Sequence, residues 1–173
     1  MSNFIVDPYK IATPTTYTLL WENTDGGSLD DSQSELYFAN EFDTNDDVIG
    51  EAITKITVQV KKVGSPTATI QGFIWFGTNP NAPSKTSAET YNPADVGTDL
   101  TTLTFTFTNT TDTVQGYLAG FGFSGTGDAS NHYKYNRKSS AVDGTYQAKG
   151  NTTSWSYPST KGNCLYNSVF KSP

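Results

Sequence analysis

Nucleophilic catalysis needs a nucleophile held against a base, and this chain carries few candidates for either role. His132 and Cys164 are its single histidine and single cysteine, and they lie too far apart in sequence for spacing to suggest a dyad or triad. His132, between Asn131 and Tyr133, reads as a loop or strand-edge residue. Glycoside hydrolysis needs only two carboxylates. Glu22, Glu35, Glu41, Glu51 and Glu89 are available, yet nothing in their spacing singles out a pair. The expectation is a protein that is not an enzyme and needs no cofactor.

Calcium is the one metal worth weighing. Asp43, Asn45, Asp46 and Asp47 gather hard oxygen donors in one short stretch, and Asp25 to Asp31 does so in another. Ca²⁺ takes six to eight such oxygens on flexible loops. Neither stretch has EF-hand spacing, and Asx-rich turns use the same residues to cap local backbone. Aromatic side chains are the stronger carriers of recognition, because flat rings suit the apolar faces of sugars or a protein neighbour. Phe73, Trp75, Tyr133, Tyr135, Tyr146 and Trp155 are the candidates. Phe73 and Trp75 fall on the parity opposite Ile70 and Ile74, so they face away from that strand's core, either as an open platform or beneath a second layer. Tyr133-Lys134-Tyr135-Asn136-Arg137-Lys138 interleaves rings and cations as single-strand nucleic-acid grooves do, but with the rest of the chain acidic it reads as a solvated strand and turn. Asn109-Thr110-Thr111 and Asn151-Thr152-Thr153 have the form of glycosylation sequons.

Short strands must position these residues. Period-two alternation is strongest from Ile53 to Gly77. There Ile56, Val58 and Val60 share one parity, and Ala68, Ile70, Ile74 and Phe76 share another after Val63-Gly64-Ser65-Pro66, which reads as the joint of a hairpin. Leu103, Phe105 and Phe107 alternate with threonines, and Ala119, Phe121 and Phe123 alternate with glycines that leave room for a ring or a backbone. Tyr17, Leu19 and Trp21 give a first strand, and Leu36, Phe38 and Phe42 a second. Residues 78–99, with Pro80, Pro83 and Pro93, read as a long crossover. The pattern predicts an all-β chain: an antiparallel two-sheet sandwich of the Greek-key kind. Its core comprises Ile56, Val58, Ile70, Ile74, Leu103, Phe105 and Phe107. Residues 1–21 form an extended arm and first strand, and 22–173 a single sandwich domain.

Bulk properties exclude several roles. Lys and Arg total 11 against 17 Asp and Glu, a net charge of −6, so no concentrated basic face exists for nucleic acid. No run approaches the roughly 20 apolar residues of a membrane span, and the N-terminal segment lacks the basic and apolar regions of a conventional signal peptide. One cysteine excludes an intrachain disulfide.

Several features in order carry a resemblance. They are Phe38-Ala39-Asn40-Glu41-Phe42, Ile53-Thr54-Lys55-Ile56, the Lys62-Val63-Gly64-Ser65-Pro66-Thr67 turn, Ile74-Trp75, Leu103-Thr104-Phe105, Tyr117-Leu118-Ala119, Tyr133-Lys134-Tyr135 and Thr153-Ser154-Trp155-Ser156. Over about residues 36–171 the chain resembles the jelly-roll, carbohydrate-binding-like β-sandwich modules of exported microbial proteins and of phage or archaeal-virus structural proteins. Ala68 stands where that family usually has glycine. The resemblance implies a non-catalytic sandwich. The functional expectation is a structural or adhesion protein of a virion surface, a capsid decoration, spike or fibre, that forms a homo-oligomer or shell. The alternative is a carbohydrate-binding module that recognises glycans through its aromatics. An assembly arm would use Phe4, Ile5, Val6, Tyr9 and Ile11, held extended by Pro8 and Pro14. The expected location is a virion or extracellular surface.

Overall fold

A computed structural model describes residues 16–20, 29–31, 35–42, 49–77, 79–108, 117–136, 146–151, 154–156 and 167–171; for 16–20, 29–31, 146–149 and 167–171 the description is confined to the backbone. The strands are β1 (Thr16–Leu20), β2 (Leu29–Asp31), β3 (Tyr37–Glu41), β4 (Ala52–Val63), β5 (Ile70–Trp75), β6 (Lys85–Tyr91), β7 (Thr101–Thr106), β8 (Leu118–Phe123), β9 (His132–Asn136), β10 (Tyr146–Gly150), β11 (Trp155–Ser156) and β12 (Asn167–Lys171), with one 3₁₀ turn at Pro93–Asp95. They form two antiparallel sheets. The first runs β1-β12-β4-β9-β2, with β7 also on β4, and the second runs β11-β10-β3-β8-β5-β6.

β4 is the spine of the first sheet because its 12 residues are long enough to serve three partners. Ala52 to Thr57 pair with β12, Val60 to Val63 with β9, and Lys55 to Val60 with β7. Residues 55–57 pair with both β12 and β7, so those two strands lie on opposite sides of β4. The expected alternation holds. Ile56, Val58, Ile70, Ile74, Leu103, Phe105 and Phe107 are all buried, in one cluster drawn from both sheets that also takes in Phe38, Phe121, Phe123, Tyr133 and Tyr135. Two apolar faces packed on each other make a β-sandwich.

The joint after Val63 is not a hairpin. β4 belongs to the first sheet and β5 to the second, so residues 64–69 carry the chain across the sandwich. Gly64 turns it in the left-handed region at φ +65°, and a Cβ there would lie 2.1 Å from the Ser130 carbonyl oxygen. The next residue's N–H donates to Asn131 Oδ1 at 2.9 Å, which binds this crossing to the β8–β9 loop. Residues 78–99 differ from expectation as well, since β6 forms within them and pairs with β5. The true crossover is 92–100, tied to the end of β4 by the Lys62 N–H donating to the Gly97 carbonyl at 2.9 Å. The first predicted strand is present as β1, on the outer side of β12.

Candidate functional site

The outer face of the second sheet carries a layer of rings. Tyr37 on β3, Phe73 and Trp75 on β5, and Trp155 on β11 all stand on the side away from the inter-sheet core, grouped with Ala39 and Leu118. Their centroids lie close, Tyr37 to Phe73 at 5.7 Å, Tyr37 to Trp75 at 5.7 Å and Trp75 to Trp155 at 5.0 Å, each pair edge to face. Glycine makes room beneath them. A Cβ at Gly122 would meet the Tyr37 ring at 2.5 Å and Phe73 at 3.0 Å, and one at Gly150 would meet Trp155 at 2.8 Å. Both glycines lie in the sheet, so the rings rest on its backbone.

Trp75 is fully covered, at 0 % exposure. Its indole N–H donates to the Pro80 carbonyl at 2.8 Å, where the 79–82 turn folds over it, and Trp155 closes the other side. Trp75 is therefore a core residue of a second layer and not a stacking platform. Tyr37, Phe73 and Trp155 are half-buried around it, and their remaining surface forms an amphipathic aromatic patch. The indole nitrogen of Trp155 is buried without a hydrogen-bond partner.

The rings of Tyr133 and Tyr135 also belong to the core, contrary to expectation. β9 lies between β4 and β2, and its odd-numbered residues face the second sheet. Tyr135 packs on Phe38 at 4.4 Å, and Tyr133 stacks on Phe123 at 5.1 Å. The Tyr133 hydroxyl donates to the Ala68 carbonyl at 2.7 Å, and burial pushes its pKa up to about 12. Tyr146 is placed on β10, paired with Glu41; its side chain is outside the described residues. So are Asp43, Asn45, Asp46 and Asp47, and Phe4, Ile5, Val6, Tyr9 and Ile11.

A cleft of about 250 Å³ opens at one end of the sandwich, between the β4–β5 crossing and the β8–β9 loop, lined among others by Ser65, Pro66, Thr126, Asp128, His132 and Tyr133. Hydrogen bonds tie its wall at Asp128. Asp128 Oδ1 accepts from the Ser130 N–H at 2.7 Å and the Asn131 N–H at 2.8 Å. The Ser130 N–H, then the Asn131 side chain and N–H, hold the Asp128 carboxyl below its usual range. His132 Nδ1 meets the Asp128 carbonyl at 3.0 Å. A carbonyl only accepts, so that nitrogen carries the proton. Nε2 is buried and has no hydrogen-bond partner. The lining holds hydroxyls and one carboxylate and no lysine or arginine, which suits a neutral, hydroxyl-bearing molecule over an anion.

The alternation around β3 marks the inward residues Phe38 and Phe42, and gives no sign that Tyr37 on the opposite parity joins the outer rings. Nor does the sequence mark the cleft, whose two walls lie far apart in it. Among the described residues no three His, Cys, Asp or Glu side chains gather as a metal site. Comparison of the chain with protein-family models, with curated proteins and with solved structures found no match.

Proposed function

We propose that this chain is a non-enzymatic structural or adhesion protein, a self-assembling component of a virion surface such as a capsid decoration, spike or fibre. The observation that carries this reading is the strand order. β2-β9-β4-β7 faces β3-β8-β5-β6, the order of two interleaved Greek keys, and we read the sandwich as a jelly roll to which β1, β10, β11 and β12 are added. Viral capsid and lectin domains share that architecture, so the argument is one of fold analogy. The half-buried rings of Tyr37, Phe73 and Trp155 add a location, because aromatic side chains are enriched where protein surfaces meet. In this reading residues 1–15 are the assembly arm. They lead into β1, the outermost strand of the first sheet on that side, and an extended arm can add a strand to a neighbour's sheet.

Sedimentation of the full chain and of a chain lacking residues 2–14 tests the reading. The full chain is expected as an oligomer and the truncated chain as a smaller, folded species. A full chain that is monomeric at high concentration removes it.

A second reading, a carbohydrate-binding module, is favoured by the hydroxyl-lined cleft beside Asp128 and by the same aromatic patch. A glycan array should then give signal that Phe73→Ala or Asp128→Asn reduces while the protein stays folded, with at most a small drop in melting temperature. No signal from the intact protein ends it.

A further inference from the structure

β7 is an end strand. Among the described residues it pairs with β4 and with no other strand. Its sequence with the two residues after it, Thr-Thr-Leu-Thr-Phe-Thr-Phe-Thr, holds no charge and no proline. An uncharged, β-prone strand with a free edge is a template for pairing with another chain. Here that edge is occupied by side chains from the other sheet. The Tyr91 hydroxyl donates to the Thr104 carbonyl at 2.8 Å and accepts from the Thr104 N–H at 3.2 Å. The Glu89 carboxylate accepts from the Thr106 N–H at 2.6 Å and from the Thr106 hydroxyl. Both backbone groups of Thr104 and the N–H of Thr106, which a further strand would use, are thus already taken.

The neighbouring strand is shaped to deliver those two side chains. In β6, Thr90 stands opposite Gln71 and Thr86 opposite Phe73, so Ser87, Ala88 and Glu89 together face Gly72 alone. Bulges of this kind re-aim a side chain. The bulge is stitched by Ser87, whose hydroxyl accepts from the Gly72 N–H at 3.0 Å and donates to the Glu89 carbonyl at 2.7 Å. Gly72 also lets the strands close up, since a Cβ there would lie 2.6 Å from Phe105 of β7. Tyr91 is steadied by the same Phe105, edge to face at 5.4 Å.

We propose that Glu89 and Tyr91 are a latch over a self-pairing edge, and that with the latch open β7 pairs antiparallel with β7 of a second copy of this chain. A second copy fits because an antiparallel edge is self-complementary about a two-fold axis. The outward threonines would face one another in favourable cross-strand pairs, and no charge on the strand opposes the approach. The inference goes beyond the assembly reading, since the closed latch withholds this edge from any assembly the unaltered chain makes.

The test is the full chain carrying Glu89→Ala and Tyr91→Phe, the second change keeping the ring and removing the hydroxyl. Sedimentation velocity is run across a concentration series, with hydrogen exchange read at the Thr104 and Thr106 amides. The variant should shift with concentration to about twice the mass of the unaltered chain. Both amides should exchange fast when dilute and become protected when concentrated. Adding Thr106→Pro removes an edge donor and should return the original mass. A variant that keeps the original mass at every concentration overturns the latch. So does one that associates while both amides stay unprotected, because another surface is then responsible. If the double variant fails to fold, Glu89→Ala alone is read by its mass and by the Thr106 amide, the one it frees; an unchanged mass at every concentration, or association with that amide unprotected, overturns the proposal.

Discussion

The two apolar layers on either side of the second sheet use the same kinds of residue and differ in what closes them. The inner layer is closed by a whole opposing sheet, so Phe38, Ile70, Ile74, Phe121 and Phe123 are buried along their full length. The outer layer is closed over Trp75 by a short turn at Pro80 and by one ring from β11, and its other rings remain half-buried. Parity along a strand decides which face a side chain takes. Whether that face becomes core depends on a cover that comes from elsewhere in the chain.

The sharpest contrast should come from truncating one large side chain in each layer. Phe105→Ala removes a fully buried inner ring and is expected to cost about 3–5 kcal/mol in denaturant unfolding. A cost under about 1 kcal/mol would place Phe105 on the surface. Trp75→Ala should approach the same size, about 3 kcal/mol, because the indole is fully covered and its departure also strands the Pro80 carbonyl. If it costs no more than a surface change, the outer layer is not a second core and the comparison fails. Phe73→Ala, half-buried beside it, should cost only about 1 kcal/mol by the area it covers, with a correspondingly small drop in melting temperature.

Legibility followed the same divide. The inner core could be read from alternation alone, since Ile56, Val58, Leu103 and Phe105 need only a period of two to declare a face. The β4–β5 joint could not. Gly64, Ser65 and Pro66 mark a change of direction, but a turn back into one sheet and a crossing to another have the same local chemistry. Tyr133 and Tyr135 read as surface residues in the sequence because Lys134 and Arg137 between and beyond them look solvated, while the place of β9 between β4 and β2 is a long-range fact. For the candidate site, the sequence could point Phe73 and Trp75 outward but not supply their cover, which arrives with Pro80 and Trp155. Glu89 had no local signal at all, because the bulge that aims it depends on Gly72 in the partner strand.

The smallest expected effect is a pH dependence at the β6–β7 corner. Burial pushes the Glu89 carboxyl up, but its hydrogen bonds from Thr106 outweigh that and leave it below its ordinary value. A carboxyl lowered in the folded state stabilises the fold fully above its unfolded pKa and loses that contribution as pH falls through the folded pKa. Glu89→Gln should therefore reduce stability near neutral pH by no more than about 1 kcal/mol, given solvent screening, and flatten the melting temperature's decline into acid. An unchanged acid profile would show that the carboxylate's charge contributes nothing there.

The bond between Ser65 and Asn131 spans 66 residues, and this separation has a consequence in time. Until β8 and β9 have been made and docked, Gly64 has no Ser130 carbonyl to pack against and the exit direction of β5 is undetermined. A folding chain can pair Ile70 to Trp75 with β6 early, but the other edge of that strand waits for β8. A closure this long costs chain entropy that its own few contacts do not offset until the strands on either side are in place. The corner should form after the transition state, so Asn131→Ala should speed unfolding while leaving the refolding arm of a chevron nearly unchanged. The order of events would then run from the middle of the first sheet outward, with the cleft's walls among the last parts to set.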